Sequence, residues 1–260
     1  MIRVSFGRSE RWAKVVPRKL DDTQYSIEFV DFRHADLAAA DCVVPLQLLD
    51  YGNLRKFQSQ HAKKFLIPST DVVSLCNDKL LLNETLSGSS FRRMVPRLLA
   101  AGDRQFPYVL KKRIGSGGRG TYIFKDRDAE ARHLPEFDEK SFFRQTYIPG
   151  EKEYATHMLL VQRRVLYCST NEYTMAGELL ARGPVWPCHT ALNVVIGANV
   201  MDLLTALMLA LNYNGTCCLN YKIFEGEVML LEINPRCGAT LKQDIRAYLN
   251  AYSTAVREQA

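Results

Sequence analysis

Residues 111–124 read "KKRIGSGGRGTYIF". Gly115, Gly117 and Gly120 have the spacing G-x-G-x-x-G, which dinucleotide-binding turns, kinase loops and loops without function all share. The residues after the glycines decide between them. "TYIF" is aromatic and β-branched, so the next element reads as a strand. A dinucleotide turn needs a helix there, whose N-terminus receives the pyrophosphate. A phosphate loop ending in G-K-[ST] is absent, and neither H-R-D nor D-F-G of a kinase occurs in the chain. What remains is a glycine-rich hairpin tip with a lysine on the strand before it. Four glycines in six residues let backbone N–H groups approach an anion closely. Lys111 and Arg119 add positive charge. At an effective dielectric near 20, each cation within about 4 Å of a phosphate charge gains roughly 4 kcal/mol before desolvation. On the hairpin alone, a flexible surface turn is an equally good reading.

The totals narrow the partners. With 260 residues and 47% hydrophobic composition, the chain can bury one large core or form two to three small subdomains. Its net charge of +6 is a mild excess, and its basic clusters, such as Lys111-Lys112-Arg113, stay short. A nucleic-acid binder carries a denser stripe, whereas an anionic small molecule accounts for the excess. Seven cysteines without a C-x-x-C spacing argue against a zinc site or disulfide framework and for reduced, cytosolic thiols. "MIRVSFGRSERWAK" has no apolar core and does not read as a signal peptide. The apolar stretch 194–211 is interrupted by Asn199 and Asp202, which makes it a buried helix rather than a membrane span.

Strands and helices interleave along the chain without regular βαβ alternation. Strand-like runs lie at 25–32, 41–46, 65–69, 106–114, 121–124, 142–148, 153–161 and 165–174. "HADLAAA" (34–40) is expected as a short helix. "NDKLLLNETL" (77–86) is expected as a longer one, capped by its leading Asn. Residues 175–193 read as a loop, and 201–212 as the clearest helix. A last hairpin turns at Glu225-Gly226.

That hairpin, "LNYKIFEGEVMLLEINPR" (219–236), holds the second constellation. Glu232 and Asn234 are two apart on a strand, so both face one side. The run "VMLL" before them is apolar, and a carboxylate ending such a run is costly without a partner. A hard cation is one candidate partner and Arg236 is another. If the loop is Glu225-Gly226-Glu227, Asn220 lies directly opposite Glu232 and adds a third oxygen. A two-residue loop would put the two on opposite faces.

With these residues in place the chain resembles the ATP-grasp enzymes. The resemblance is carried by "NDK" (77–79), "FPYVLKK" with "GSGGRG" (106–120), "QTYIPGEKEY" (145–154) and "LLEINPR" (230–236), and it covers about 40–240. Lys111 and Arg119 are eight residues apart, Gln145 and Glu153 eight, and Asn220 and Glu232 twelve. These spacings resemble the biotin-carboxylase-like branch. The resemblance implies an α+β (α/β) ATP-grasp fold, with two α+β subdomains gripping ATP behind a short N-terminal α/β domain. The expected boundaries are 1–72, 73–147 and 148–260. It implies that Lys79 and Lys111 contact ATP phosphates. The loop from Gly115 through Ser116, Gly117, Gly118 and Arg119 to Gly120 would close over them as a lid. Gln145 would face the adenine amino group, the backbone near Tyr147 and Ile148 would read the adenine edge, and Glu153 would hold the ribose. Glu232, Asn234 and Asn220 would bind Mg2+, with Mn2+ as a substitute. Arg236, together with Lys111 and Arg119, would serve the transferred phosphate.

Two positions depart from the family pattern. Asn220 stands where Asp or Glu is usual, which removes one negative charge from the metal site. Lys112 stands where proline is usual and reads as a surface residue. The implied activity is a cytoplasmic ATP- and Mg2+-dependent ligase that activates a small-molecule carboxylate as an acyl phosphate and joins it to an amine. No nucleic acid or membrane partner is expected, and a homodimer is an option. The alternative is an ATP-binding protein with weak or no ligase activity. Arg182 would pair with a substrate carboxylate or stay solvated, and His157, His189 and the cysteines would be structural or substrate-lining rather than nucleophilic.

Overall fold

Three sheets organise the chain. In this computed structural model the described residues are 1–20, 23–57, 61–100, 102–103, 105–115, 118–133, 137–138, 140–182 and 187–258. Strand β1 (Ile2–Gly7) lies between β2 (Tyr25–Val30) and β3 (Cys42–Val44), parallel to both. Helix α1 (Glu10–Ala13) follows β1, and α2 (Leu48–Arg55) follows β3. Helices α3 (Thr70–Asn77) and α4 (Lys79–Ser87) lead to a four-stranded antiparallel sheet. Its strands are β4 (Leu98–Leu99), β5 (Tyr108–Lys112), β6 (Thr121–Phe124) and β7 (Phe142–Thr146), in the order β4-β7-β5-β6. Helix α5 (Arg127–His133) joins β6 towards β7. The large sheet contains β8 (Lys152–Val161), β9 (Arg164–Thr174), β10 (His189–Ala191), β11 (Gly215–Phe224) and β12 (Glu227–Asn234), in the order β10-β9-β8-β11-β12. Helices α6 (Ala198–Ala210) and α7 (Ile245–Glu258) pack on it.

The large sheet is buried on both faces, and its period of two sorts the side chains. Met158 and Leu160 of β8, with Cys217, Leu219 and Tyr221 of β11, meet Val200, Leu204, Leu207 and Met208 of α6. The spacing of those four helix residues puts them on one stripe. Leu159 and Val161 face the other way, onto Tyr248, Leu249, Tyr252 and Val256 of α7. The same cluster takes in Val4, Phe6 and Val44 of the first sheet. Helix α7 therefore fills the space between the first sheet and the large one. The Tyr252 hydroxyl donates to the Val43 carbonyl at 2.8 Å and accepts from Leu66 N–H at 2.8 Å.

Several local expectations are corrected. "HADLAAA" forms turns rather than a helix. Its run is too short to nucleate one, and the Asp36 carboxylate accepts from Ala38 N–H at 2.9 Å, which favours a turn. Residues 65–69 are extended but join no sheet: Leu66 N–H is taken by Tyr252, and Pro68 has no N–H. Asn77 ends α3 and does not cap α4. Asp78 is the cap, accepting from Leu80 N–H at 3.1 Å and Leu81 N–H at 3.2 Å. The 201–212 segment is helical from Ala198 to Ala210, and among the described residues no helix is long and apolar enough to cross a membrane.

Candidate active site

Lys79 is the first residue of α4, and two bonds set its place. Its own N–H donates to Arg113 O at 3.0 Å, and the Arg113 guanidinium pairs with the capping Asp78 at 2.6 Å. The end of β5 thus holds the start of α4. Lys79 Nζ then donates to Gly115 O at 2.9 Å and lies 3.5 Å from Glu232. Lys111 reaches the same place from β5. Its face carries Val109, with the paired Phe143 and Gln145 of β7, while Tyr108 and Leu110 turn to the aromatic core on the other side. Lys111 Nζ donates to Leu231 O of the large sheet at 3.0 Å.

The β11–β12 turn has two residues, Glu225 and Gly226, with φ of 52° and 80°, and Phe224 pairs with Glu227. A regular hairpin of this kind would place Asn220 and Glu232 on opposite faces. They pair directly all the same, because Tyr221 pairs with Leu230 and Leu231 is left over as a bulge. The bulge brings Glu232 back to the face of Asn220. Asn220 Nδ2 donates to Glu232 Oε1 at 2.7 Å, and Asn234 Nδ2 donates to the same oxygen at 2.9 Å. Glu232 pairs with Lys79 and not with Arg236, whose guanidinium donates to Cys237 O at 3.2 Å.

Electrostatics follow from this packing. Burial alone would raise the Glu232 pKa. The Lys79 and Lys111 ammoniums and the two amides overcome it and hold the carboxylate at about 2. Burial lowers Lys111 to about 8, against the opposing pull of Glu232. The cluster opens onto a cavity of about 500 Å³ lined by Lys79, Glu232, Asn234, Arg236, Ile114 and the start of α2 at Gln47 to Leu49.

Gln145, Tyr147, Ile148, Glu153, Gly118 and Arg119 lie outside the lining of this cavity. Gln145 is buried beside Val109, on the face of Lys111. Tyr147 and Ile148 lie in the crossing from β7 to β8. Glu153 is buried on β8 but is paired with Arg182 at 3.2 Å, and the Arg182 guanidinium stacks 4.1 Å from the Tyr173 ring centre. Arg182 is thus no solvated loop charge. Gly118 and Gly120 have φ of 69° and 85°, and a Cβ on Gly120 would stand 2.7 Å from Lys112 Cβ. Arg119 is exposed on this turn, and no bond from it to Glu232 or Arg236 occurs among the described residues. Ser116 and Gly117 lie outside the described residues. His157 is buried, bonded through Nε2 to Thr240 at 2.9 Å, and burial lowers its pKa to about 3, so it stays neutral.

Sequence reading missed Lys222. It is buried on β11, and its Nζ donates to Ile148 O at 3.0 Å and to Gly150 O at 2.6 Å. The available signal was its position, two residues past Asn220 and so on the same face of β11. It also missed the contribution of Gln47 to Leu49 to the cavity, for which no local pattern exists.

A family model described as the ATP-grasp domain matches residues 76–240, well over half of the chain. The chain belongs to the ATP-grasp family. This ATP-grasp chain is also similar to phosphoribosylaminoimidazole carboxylase of Saccharomyces cerevisiae, at 28% identity over 123 residues. That match takes in 43% of this chain and only 22% of the yeast protein, so the chain spans a minor part of that relative's length. Among solved structures, phosphoribosylamine–glycine ligase of Thermotoga maritima superposes with a TM-score of 0.72 at 14% identity, over 99% of this chain and 76% of that one. D-alanine–D-alanine ligase of Bacillus anthracis complexed with ATP gives 0.63 at 13% identity, over 99% and 98%. These likenesses establish the shared ATP-grasp fold.

Proposed function

We propose that this ATP-grasp protein is an ATP- and Mg2+-dependent ligase that joins a small-molecule carboxylate to an amine. The observation that carries the reading is the meeting of Lys79, Lys111, Glu232, Asn220 and Asn234 between two sheets, at the mouth of a cavity bounded by Arg236. The names of the similar proteins, two of them ligases, support it. In this reading the units are 1–72, 73–147 and 148–260, with the nucleotide between the last two.

Phosphoryl transfer needs positioning and charge neutralisation more than covalent help. Lys79 and Lys111 would neutralise the phosphates, and Gly115 to Gly120, with Arg119, would cover them and keep water from an activated intermediate. Gln145 and the backbone at Tyr147 and Ile148 would take the adenine. Glu153 would take the ribose once Arg182 gives way or shares it. The donor set suits one hard cation: an ionised carboxylate on Glu232, with amide oxygens available on Asn220 and Asn234. Such a cation would supply further neutralisation of phosphate charge. The carboxylate oxygen of the substrate attacks the terminal phosphorus and ADP leaves. The amine nitrogen then attacks the acyl carbon, phosphate leaves, and the nitrogen gives up a proton. Arg236 would face the transferred phosphate. Seven unpaired cysteines support a cytoplasmic setting.

The test is ADP release against pools of carboxylates and amines. The reading requires release that depends on both, and near-complete loss in Glu232→Ala. A second reading, ATP binding with little catalysis, is favoured by the single carboxylate of the site. Tight ATP binding without ADP formation across a broad pool would support that one.

A further inference from the structure

The chain crosses from the small sheet to the large one between Thr146, the last residue of β7, and Lys152, the first of β8. The β8–β9 ladder reaches back only to Glu151, whose carbonyl accepts from Met175 N–H at 2.9 Å; before it, Pro149 has no N–H and Gly150 sits at φ 104°, outside strand geometry. A side chain from a third strand holds this stretch instead. Lys222 is 4% exposed and donates to the carbonyls on either side of Pro149, Ile148 O at 3.0 Å and Gly150 O at 2.6 Å. The same ammonium stands 5.4 Å from the Tyr147 ring centre. A charged donor on two carbonyls makes stronger bonds than a neutral one. Lys222 also shares its face of β11 with Asn220, so it rises from the floor of the cleft that holds Glu232. Burial lowers its pKa, yet it has two acceptors and an aromatic face to keep the charge.

We propose that Lys222 is the positioning residue for the base of the bound nucleotide. By fixing Ile148 O and Gly150 O it fixes the backbone edge at Tyr147 and Ile148 against which a purine is read. Adenine and guanine present reversed donor and acceptor patterns on that edge, so a rigid backbone suits one of them and a loosened backbone separates them poorly. This rests on the reading of the cleft as a nucleotide site.

Calorimetry with ADP, GDP and inorganic tripolyphosphate on the full chain tests it. In Lys222→Met, ADP affinity should fall about tenfold and the preference for ADP over GDP should shrink, as expected for loss of about one well-placed set of hydrogen bonds. Tripolyphosphate, which has no base, should bind as it does to the unaltered protein. KM for ATP should rise while kcat stays within about threefold. Lys222→Arg, which keeps donors and charge, should recover most of the loss. Equal weakening of ADP and tripolyphosphate, or no weakening of either, would overturn the proposal. Lys222→Gln serves if the Met variant does not melt cooperatively. Failure of both to fold would also overturn it, because the lysine would then serve the whole subdomain. An unaltered protein that binds no ADP would instead sink the nucleotide reading itself.

Discussion

Lys111 of the small sheet donates a hydrogen bond to the carbonyl of Leu231, 120 residues further along the chain, at 3.0 Å. Leu231 is the bulged residue of β12, with no partner on β11. One extra residue thus does two things. It turns Glu232 to the side of Asn220, and it gives the lysine ammonium a carbonyl at the base of the cleft.

Lys111 should govern phosphate affinity. Replacing it with Met should weaken ADP binding about 10- to 100-fold, the range for losing a hydrogen bond to a charged group. Because burial lowers its pKa to about 8, the unaltered protein should lose ADP affinity as pH rises through 8. Its contribution to stability has the opposite sign: the buried charge penalises the fold below about 8, and the penalty is relieved between 8 and the ordinary lysine value. Calorimetric titrations from about pH 6.5 to 9.5 check the first trend; a flat profile would remove Lys111 from the phosphate site.

Asn220→Asp should make the fold depend on metal. The amide now donates to Glu232, and a carboxylate there would repel it. In chelator the variant should lose about 1–3 kcal/mol, a fall of several degrees in Tm. Added Mg2+ should restore the loss and raise Tm above that of the unaltered protein, and melting scans with and without Mg2+ show which way it goes.

Gly238 is required by close approach. A Cβ there would stand 2.4 Å from His157 Cε1 and 2.9 Å from Cys218 Sγ, both buried in the sheet floor. Gly238→Ala should cost about 1–3 kcal/mol in urea unfolding. Gly52→Ala, in the middle of α2 with open space around its Cβ, should instead stabilise by about 0.5–1 kcal/mol.

His157 should fail to titrate in the physiological range. Its folded pKa of about 3 lies below the ordinary value of 6.5, so the unfolded chain binds the extra proton first. Stability should therefore fall as pH drops below 6.5, by about 1.4 kcal/mol per unit from this residue alone. Imidazole proton shifts recorded from about pH 8 to 5 should stay constant for His157, and movement near 6.5 would show that it is reached by water.

The parts of the site that were legible are those with a local cause. The strand after the glycine loop follows from "TYIF", and the shared face of Glu232 and Asn234 follows from a spacing of two. The parts that were not legible depend on contacts far apart in the chain. A bulge at Leu231 leaves no mark in composition, yet it decides which side Glu232 faces. Asp78 rather than Asn77 caps α4 because Asn77 is still inside α3 while Asp78 is extended, and Arg113 from the end of β5 pairs with its carboxylate. Arg182 looked like a loop charge until Glu153 and the Tyr173 ring came to meet it. "HADLAAA" has helix-forming alanines, but a helix so short needs packing to survive, and a side-chain turn at Asp36 competes with it.

Tyr252 bonds to both Val43 and Leu66, and its helix covers the first sheet. During synthesis, which delivers the N-terminal end first, β1 to β3 emerge some two hundred residues before that cover. The first sheet must therefore wait with an apolar face open, and its folding is governed by a helix that leaves the ribosome much later. Contacts so distant in sequence are slow to form, so this layer is where a nascent chain is most exposed to aggregation and most in need of a chaperone.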